Sequence, residues 1–186
     1  MELPQLLRCL GLSDYIAFDF ETTGLSPEDD RIIEIAAIKF VNGNLADRFV
    51  KLINPERPID PFITDITGIS DNMVRDKPIE SDIIDEFLEF LSDLPLVAHN
   101  ISFDKSFLDA LCERFKKPKK NNPLFDTLQL SRTFLFFHPV HDLGSISEYF
   151  GSSSAGSHRA EKDTENCGVI FQKLIKEAAS YPLKTI

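Results

Sequence analysis

The chain has 186 residues, with 30 Asp plus Glu against 20 Lys plus Arg and a formal net charge of -10. At 42% hydrophobic and 27% charged, it is too apolar to stay disordered and fits a single domain with its own core. The acidic balance argues against a protein that coats duplex nucleic acid or a membrane surface, but it does not exclude an enzyme that touches only a few phosphates.

The opening stretch, residues 1–13, lacks the basic start and small-residue cleavage pattern of a signal peptide and reads as a short helical extension. Tyr15 to Glu21 is a first strand, Arg31 to Val41 a second and Leu45 to Ile53 a third. Asn42-Gly43 is a strong hairpin signal, so the three are expected as an antiparallel meander. After Pro78 the apolar residues Ile79, Ile83, Phe87 and Leu91 recur at fours, which predicts a helix. A short strand at Leu96–His99, a helix from about Ser102 to Phe115 and a short strand at Pro123–Asp126 follow. Helices are then expected over Leu128–Phe137, Leu143–Phe150 and about Arg159–Ala179. Strands first as a meander, then strand alternating with helix, indicate a mixed α/β sheet with helices on both faces. The domain is expected over residues 14–180, with 181–186 a tail. Cys9, Cys112 and Cys167 are far apart and form no CxxC pair, so a reducing, cytoplasmic setting is expected.

Four carboxylates stand where the pattern calls for apolar residues. Side chains alternate along a strand, so Asp19 and Glu21 share the face opposite Ile16, Phe18 and Phe20. Asp104 falls within the helical stripe of Phe107, Leu108, Leu111 and Phe115, and Asp163 lies in line with Cys167, Ile170 and Leu174. Taken singly, Asp104 and Asp163 are equally well read as carboxylates near helix starts, where free N–H groups attract them. Taken together, the four form an oxygen-rich, nitrogen-poor set that suits a hard divalent cation, Mg²⁺ or Mn²⁺. His158, five residues before Asp163, adds an imidazole able to accept a proton near neutral pH.

The strings Asp19-Phe-Glu-Thr-Thr-Gly24, His99-Asn-Ile-Ser-Phe-Asp104 and His158-Arg-Ala-Glu-Lys-Asp163 resemble, in order, the three motifs of the DEDDh, or DnaQ-like, 3'-to-5' exonucleases. That family includes the proofreading epsilon subunit of bacterial DNA polymerase III. The resemblance implies a ribonuclease H-like fold: a five-stranded mixed sheet, antiparallel meander plus parallel strands, flanked by helices. It implies two-metal hydrolysis of the 3' end of single-stranded or frayed DNA, favoured over RNA, with release of nucleoside 5'-monophosphates. Asp19, Glu21 and Asp163 would hold the cation that binds the attacking water, Asp19 would be shared with a second ion supported by Asp104, and His158 would take the proton. The resemblance further places Thr22, Thr23, Gly24 and Leu25 around the terminal nucleotide, Asn100 and Phe103 along the same cleft, and Arg159 near a phosphate. It assigns His99 and Asp126-Thr127 to support of the site and Ile66–Ile69 to a loop near the substrate base.

Lys105 to Lys120 contains six bases and two acids, Asp109 and Glu113, a local net of +4. This segment is either a solvated helix end or a contact for nucleic acid. As a whole, the chain reads as a proofreader-like domain, a free-standing nuclease or the nuclease module of a larger polymerase or helicase, with the short C-terminus favouring an isolated domain. A non-catalytic nucleic-acid-binding or assembly module of the same fold would be expected to have lost a ligand, and all are present. An Asp-nucleophile phosphatase fails because position 21 is Glu and His158–Asp163 would go unexplained.

Overall fold

The computed structural model describes residues 2–152 and 159–180. Its sheet has five strands in the order β3-β2-β1-β4-β5, formed by β1 (Asp14–Thr22), β2 (Ile32–Val41), β3 (Asn44–Leu52), β4 (Leu96–Ala98) and β5 (Leu124–Asp126). The β1–β2 and β2–β3 pairs are antiparallel, and β4 runs parallel to both β1 and β5. This is the expected ribonuclease H-like arrangement. The hairpin between β2 and β3 turns on Asn42 at φ +52° and Gly43 at φ +78°, the left-handed pair that a two-residue turn needs to match strand twist.

The helices are α1 (Leu3–Cys9), α2 (Pro61–Thr67), α3 (Asp71–Val74), α4 (Glu80–Leu91), α5 (Ile101–Arg114), α6 (Thr127–Phe134), α7 (Leu143–Tyr149) and α8 (Ala160–Ser180). Two of these, α2 and α3, lie between Ile53 and Pro78, where the sequence predicts no helix. Helix α6 stops at Phe134, short of the expected Phe137, because His138-Pro139 cannot continue it: proline removes a donor and restricts the residue before it.

Alternation along β1 builds two cores. Ile16, Phe18 and Phe20 pack with α4 and α5 residues such as Phe87, Phe107 and Leu108, whereas Tyr15 and Ala17 pack with Leu7 of α1 and with Cys167 and Phe171 of α8. Helix α8 lies close on the sheet because residue 168 is glycine. A Cβ there would come within 2.3 Å of the Phe40 ring. The Tyr15 hydroxyl donates to the Gly168 carbonyl oxygen at 2.9 Å and fixes the height of the helix on the strand. Among the described residues no helix is long and apolar enough to cross a membrane.

Candidate active site

The period of two in β1 puts Asp19 and Glu21 on the side of the sheet that α8 covers, at the C-terminal end of the strand. Between Glu21 and Thr22 the register with β2 shifts at a bulge, which ends regular pairing beside the acids and turns the chain into the next loop. Asp104 arrives from α5, on the other core. Its side chain is 2% exposed, and its Oδ1 accepts from the Phe20 N–H at 3.1 Å, so it is tied to the backbone between the two strand acids. Asp163 is in the first turn of α8 and half-buried.

The four carboxylates feel one another. Burial raises the Asp19 carboxyl well above the ordinary range, and the charges of Asp104, Glu21, Asp163 and Glu34 raise it further. Burial pushes Glu21 up to about 7, helped by Glu34 and Asp163 and opposed by Arg159. Asp104 is pushed up to about 8, again mainly by burial, with the N–H of Phe20 and its own N–H pulling the other way. Like charges in a half-dry site cost several kcal/mol unless paired, protonated or bound to a cation. Among the described residues no three His, Cys, Asp or Glu side chains are drawn tightly enough, as they stand, to ligate one ion. The chemistry of the donor set nevertheless fits a divalent cation: oxygens alone, mutually repelling, held from β1, α5 and α8. His158 lies outside the described residues.

The loop after β1 is braced from within. The Thr22 hydroxyl donates to the Gly24 carbonyl at 2.6 Å, and Asp30 accepts from the Thr23 hydroxyl at 2.9 Å and from the Ser26 N–H at 2.9 Å. A Cβ at residue 24 would stand 2.4 Å from the Asp30 carboxylate and displace the group that braces the loop, so glycine suits the position. From below, Arg114 donates to the carbonyls of Pro27 and Asp30 and to Glu80, whose other oxygen accepts from the Ile32 N–H. The brace leaves Leu25 84% exposed at the tip, an apolar side chain held out to solvent. Asn100, at φ +66° and ψ +50°, makes the sharp entry into α5 and is exposed at its N-cap, while Phe103 is half-buried with its ring 5.0 Å from that of Phe107.

Behind Asn100, Asp126 Oδ1 accepts from the N–H groups of Asn100 and Leu128, pinning this turn and capping α6 with one carboxylate. His99 Nδ1 lies 3.0 Å from the Thr127 hydroxyl, and burial lowers its pKa, which keeps the ring neutral. These residues therefore support the strand end.

Sequence reasoning missed Glu34. It is 1% exposed on β2, opposite Glu21 in the β1–β2 register. Its oxygens accept from Arg159 Nη2 at 2.8 Å and Nε at 3.3 Å, and from the Ala160 N–H at 3.0 Å. The carboxylate thereby holds the start of α8, and Asp163 with it. Its signal was visible as the single charged residue in the run Ile32-Ile-Glu-Ile-Ala-Ala-Ile. Arg159, expected near a phosphate, is placed beside Glu34 and remains half-exposed.

A family model for an exonuclease matches residues 16–171. The chain is 41% identical to the PolC-type DNA polymerase III of Latilactobacillus sakei and 40% identical to that of Bacillus subtilis, in each case over 92% of its own length. It spans only 12% of the length of either relative. Among solved structures, exonuclease X in complex with 5' overhanging duplex DNA aligns with a TM-score of 0.72 at 24% identity, covering 90% of this chain and 94% of that one. Escherichia coli exonuclease I in complex with a dT13 oligonucleotide aligns with a TM-score of 0.80 at 19% identity, covering 90% and 42%. These two likenesses establish the shared fold.

Proposed function

The chain belongs to the exonuclease family, and from that premise we propose that it removes nucleotides one at a time from the 3' end of single-stranded or frayed DNA, releasing nucleoside 5'-monophosphates. The observation that carries this reading is the carboxylate cluster at the end of β1, where Asp19, Glu21, Asp104 and Asp163 repel one another and burial favours neutralisation. The four are assigned to two divalent cations, Mg²⁺ or Mn²⁺. When bound, such ions supply charge neutralisation and activation of water for in-line displacement at phosphorus. Glu34 and the first turn of α8 orient Asp163, and the Phe20 N–H orients Asp104. His158 serves as the base that takes the proton from the attacking water. Thr22, Thr23, Gly24 and Leu25 receive the terminal nucleotide, with Leu25 against the last base, and Asn100 and Phe103 line the same cleft.

The complexes of exonucleases X and I with DNA ends support a strand terminus as substrate. The PolC-type relatives support a place beside a DNA polymerase, where frayed primer ends arise, and a cytoplasmic setting. A helicase partner would present ends of the same kind. The test is digestion of 3'-labelled and 5'-labelled oligonucleotides, DNA and RNA, with Mg²⁺ or Mn²⁺ and with EDTA. The 3' label should leave at once as mononucleotide while the 5' label forms a descending ladder, faster on DNA and abolished by EDTA. Absence of nucleotide release with either ion would overturn the proposal.

A further inference from the structure

An open cavity of about 460 Å³ lies between the end of β3, the segment entering α4 and the start of α8, and reaches Glu34, the cross-strand neighbour of Glu21. Its lining carries three cations, Lys51, Lys77 and Arg159, and one carboxylate, Glu34. Leu52 and Pro78 form an apolar wall, kept in place because the Asn54 N–H donates to the Pro78 carbonyl at 2.9 Å. Glu34 and Arg159 offset each other, since the Nη2 and Nε of Arg159 donate to the Glu34 oxygens, so the net charge of the lining is +2 and rests on the two lysines. Lys51 is shared with Glu86 in an exposed pair that solvent and salt weaken. Lys77 has no carboxylate at ion-pair distance among the described residues. A lining of net charge +2 stands out in a chain of net charge -10. It also sits next to the chemistry: Glu34 is the cross-strand partner of Glu21, and Arg159 lies close enough to Glu21 to offset part of its charge.

Resting on the exonuclease reading above, we propose that this cavity is a subsite for a phosphodiester of the strand on the 5' side of the scissile bond, gripped by Lys77 and Arg159 with Lys51 at the rim. The volume accommodates a nucleotide-sized group, and the Leu52–Pro78 wall offers the sugar an apolar surface. Such a grip is independent of base sequence, because a lysine reads only charge.

The test uses the full chain carrying Asp19→Ala, so that DNA binds without being cut, and a fluorescent oligothymidylate titrated by anisotropy at several salt concentrations. Adding Lys77→Ala should weaken binding about three- to tenfold and reduce the slope of log affinity against log salt by about one, and Lys51→Ala should do the same to a smaller extent. Lys77→Arg should restore binding. With Asp19 intact, Lys77→Ala should lower the ratio of kcat/KM on the oligonucleotide to kcat/KM on thymidine 5'-p-nitrophenyl phosphate, which has no phosphodiester further 5'. Unchanged affinity and salt slope, no binding by the Asp19→Ala protein even at low salt, or equal losses on both substrates would overturn the subsite. Weaker inhibition by thymidine 5'-monophosphate with intact oligonucleotide binding would assign the cavity to released product and overturn it as well. Failure of the parent chain to hydrolyse either substrate would count against the exonuclease reading, while the anisotropy result would still decide the subsite.

Discussion

Two charged clusters are visible in this chain, and the fold treats them in opposite ways. The basic strip from Lys105 to Lys120 has four of its six bases paired with acids of the fold, Lys105 with Asp109, Arg114 with Glu80, Lys117 with Asp85 and Lys119 with Glu113, while Lys120 donates to the Ser92 carbonyl. The acidic cluster at the end of β1 has Arg159 as its nearby cation, and that guanidinium is held by Glu34. A base tied to an acid contributes to structure, whereas acids that raise one another's pKa suit the counter-ions of the proposed function. The strip, which the sequence left open as a solvated helix end or a nucleic-acid contact, thus has most of its bases tied to the scaffold. The cations next to the site, Lys77 and Arg159, come from segments that do not look basic at all.

The contrast can be broken most forcefully at Asp19. Asp19→Ala should abolish nearly all hydrolysis while the metal-free melting temperature stays level or rises, because a repelling charge has gone. Substantial residual turnover, or a collapsed fold on circular dichroism, would contradict the assignment. His158→Ala is expected to cost about 10²- to 10⁴-fold in turnover and to flatten its pH profile, with modest effect on metal affinity measured by calorimetry. In the basic strip, Glu80→Ala strips Arg114 and the Ile32 N–H of a shared partner and should cost roughly 1–3 kcal/mol in denaturant melts, with activity lost only as the loop after β1 loosens. Lys119→Ala, at an exposed pair, should change stability by less than about 0.5 kcal/mol.

Titration sharpens the same difference. Glu21 and Asp104 are held at about 7 and 8 in the folded chain, against values near 4 when unfolded. Between those limits the folded state binds more protons than the unfolded one. Without divalent cations, the contribution of these groups to stability is therefore full below about pH 4 and lost as pH climbs towards 8. Melting curves across that range should show the decline, and Mg²⁺ or Mn²⁺ should reverse most of it at pH 8 by binding the folded form. A decline that persists unchanged with saturating cation would argue against a metal site.

Much of the fold was legible because it rests on periodicity. The alternation in Tyr15–Glu21, the Asn42-Gly43 turn and the helical spacing after Pro78 each encode an element locally, and the site acids fall on elements of that kind: Asp19 and Glu21 on β1, Asp104 on α5 and Asp163 on α8. Helices α2 and α3 were not legible, since seven and four residues carry too little periodic signal and depend on packing of their Ile63 and Val74 with Ile33, Ile59 and Ile69. Glu34 was passed over because a lone acid in a strand says nothing of a partner 125 residues away.

By itself, the sequence determined which side chains could do chemistry and which strand or helix carries each, because both follow from residue type and local spacing. Only the tertiary structure decided which charges would meet one another. It pairs bases of the strip with acids from α4 and α5, sets Glu34 against Arg159, and gathers Lys51 and Lys77 around the cavity that these two line. The physical reason is that an electrostatic interaction depends on distance and burial in space, and for these residues the chain brings together positions that are dozens of residues apart.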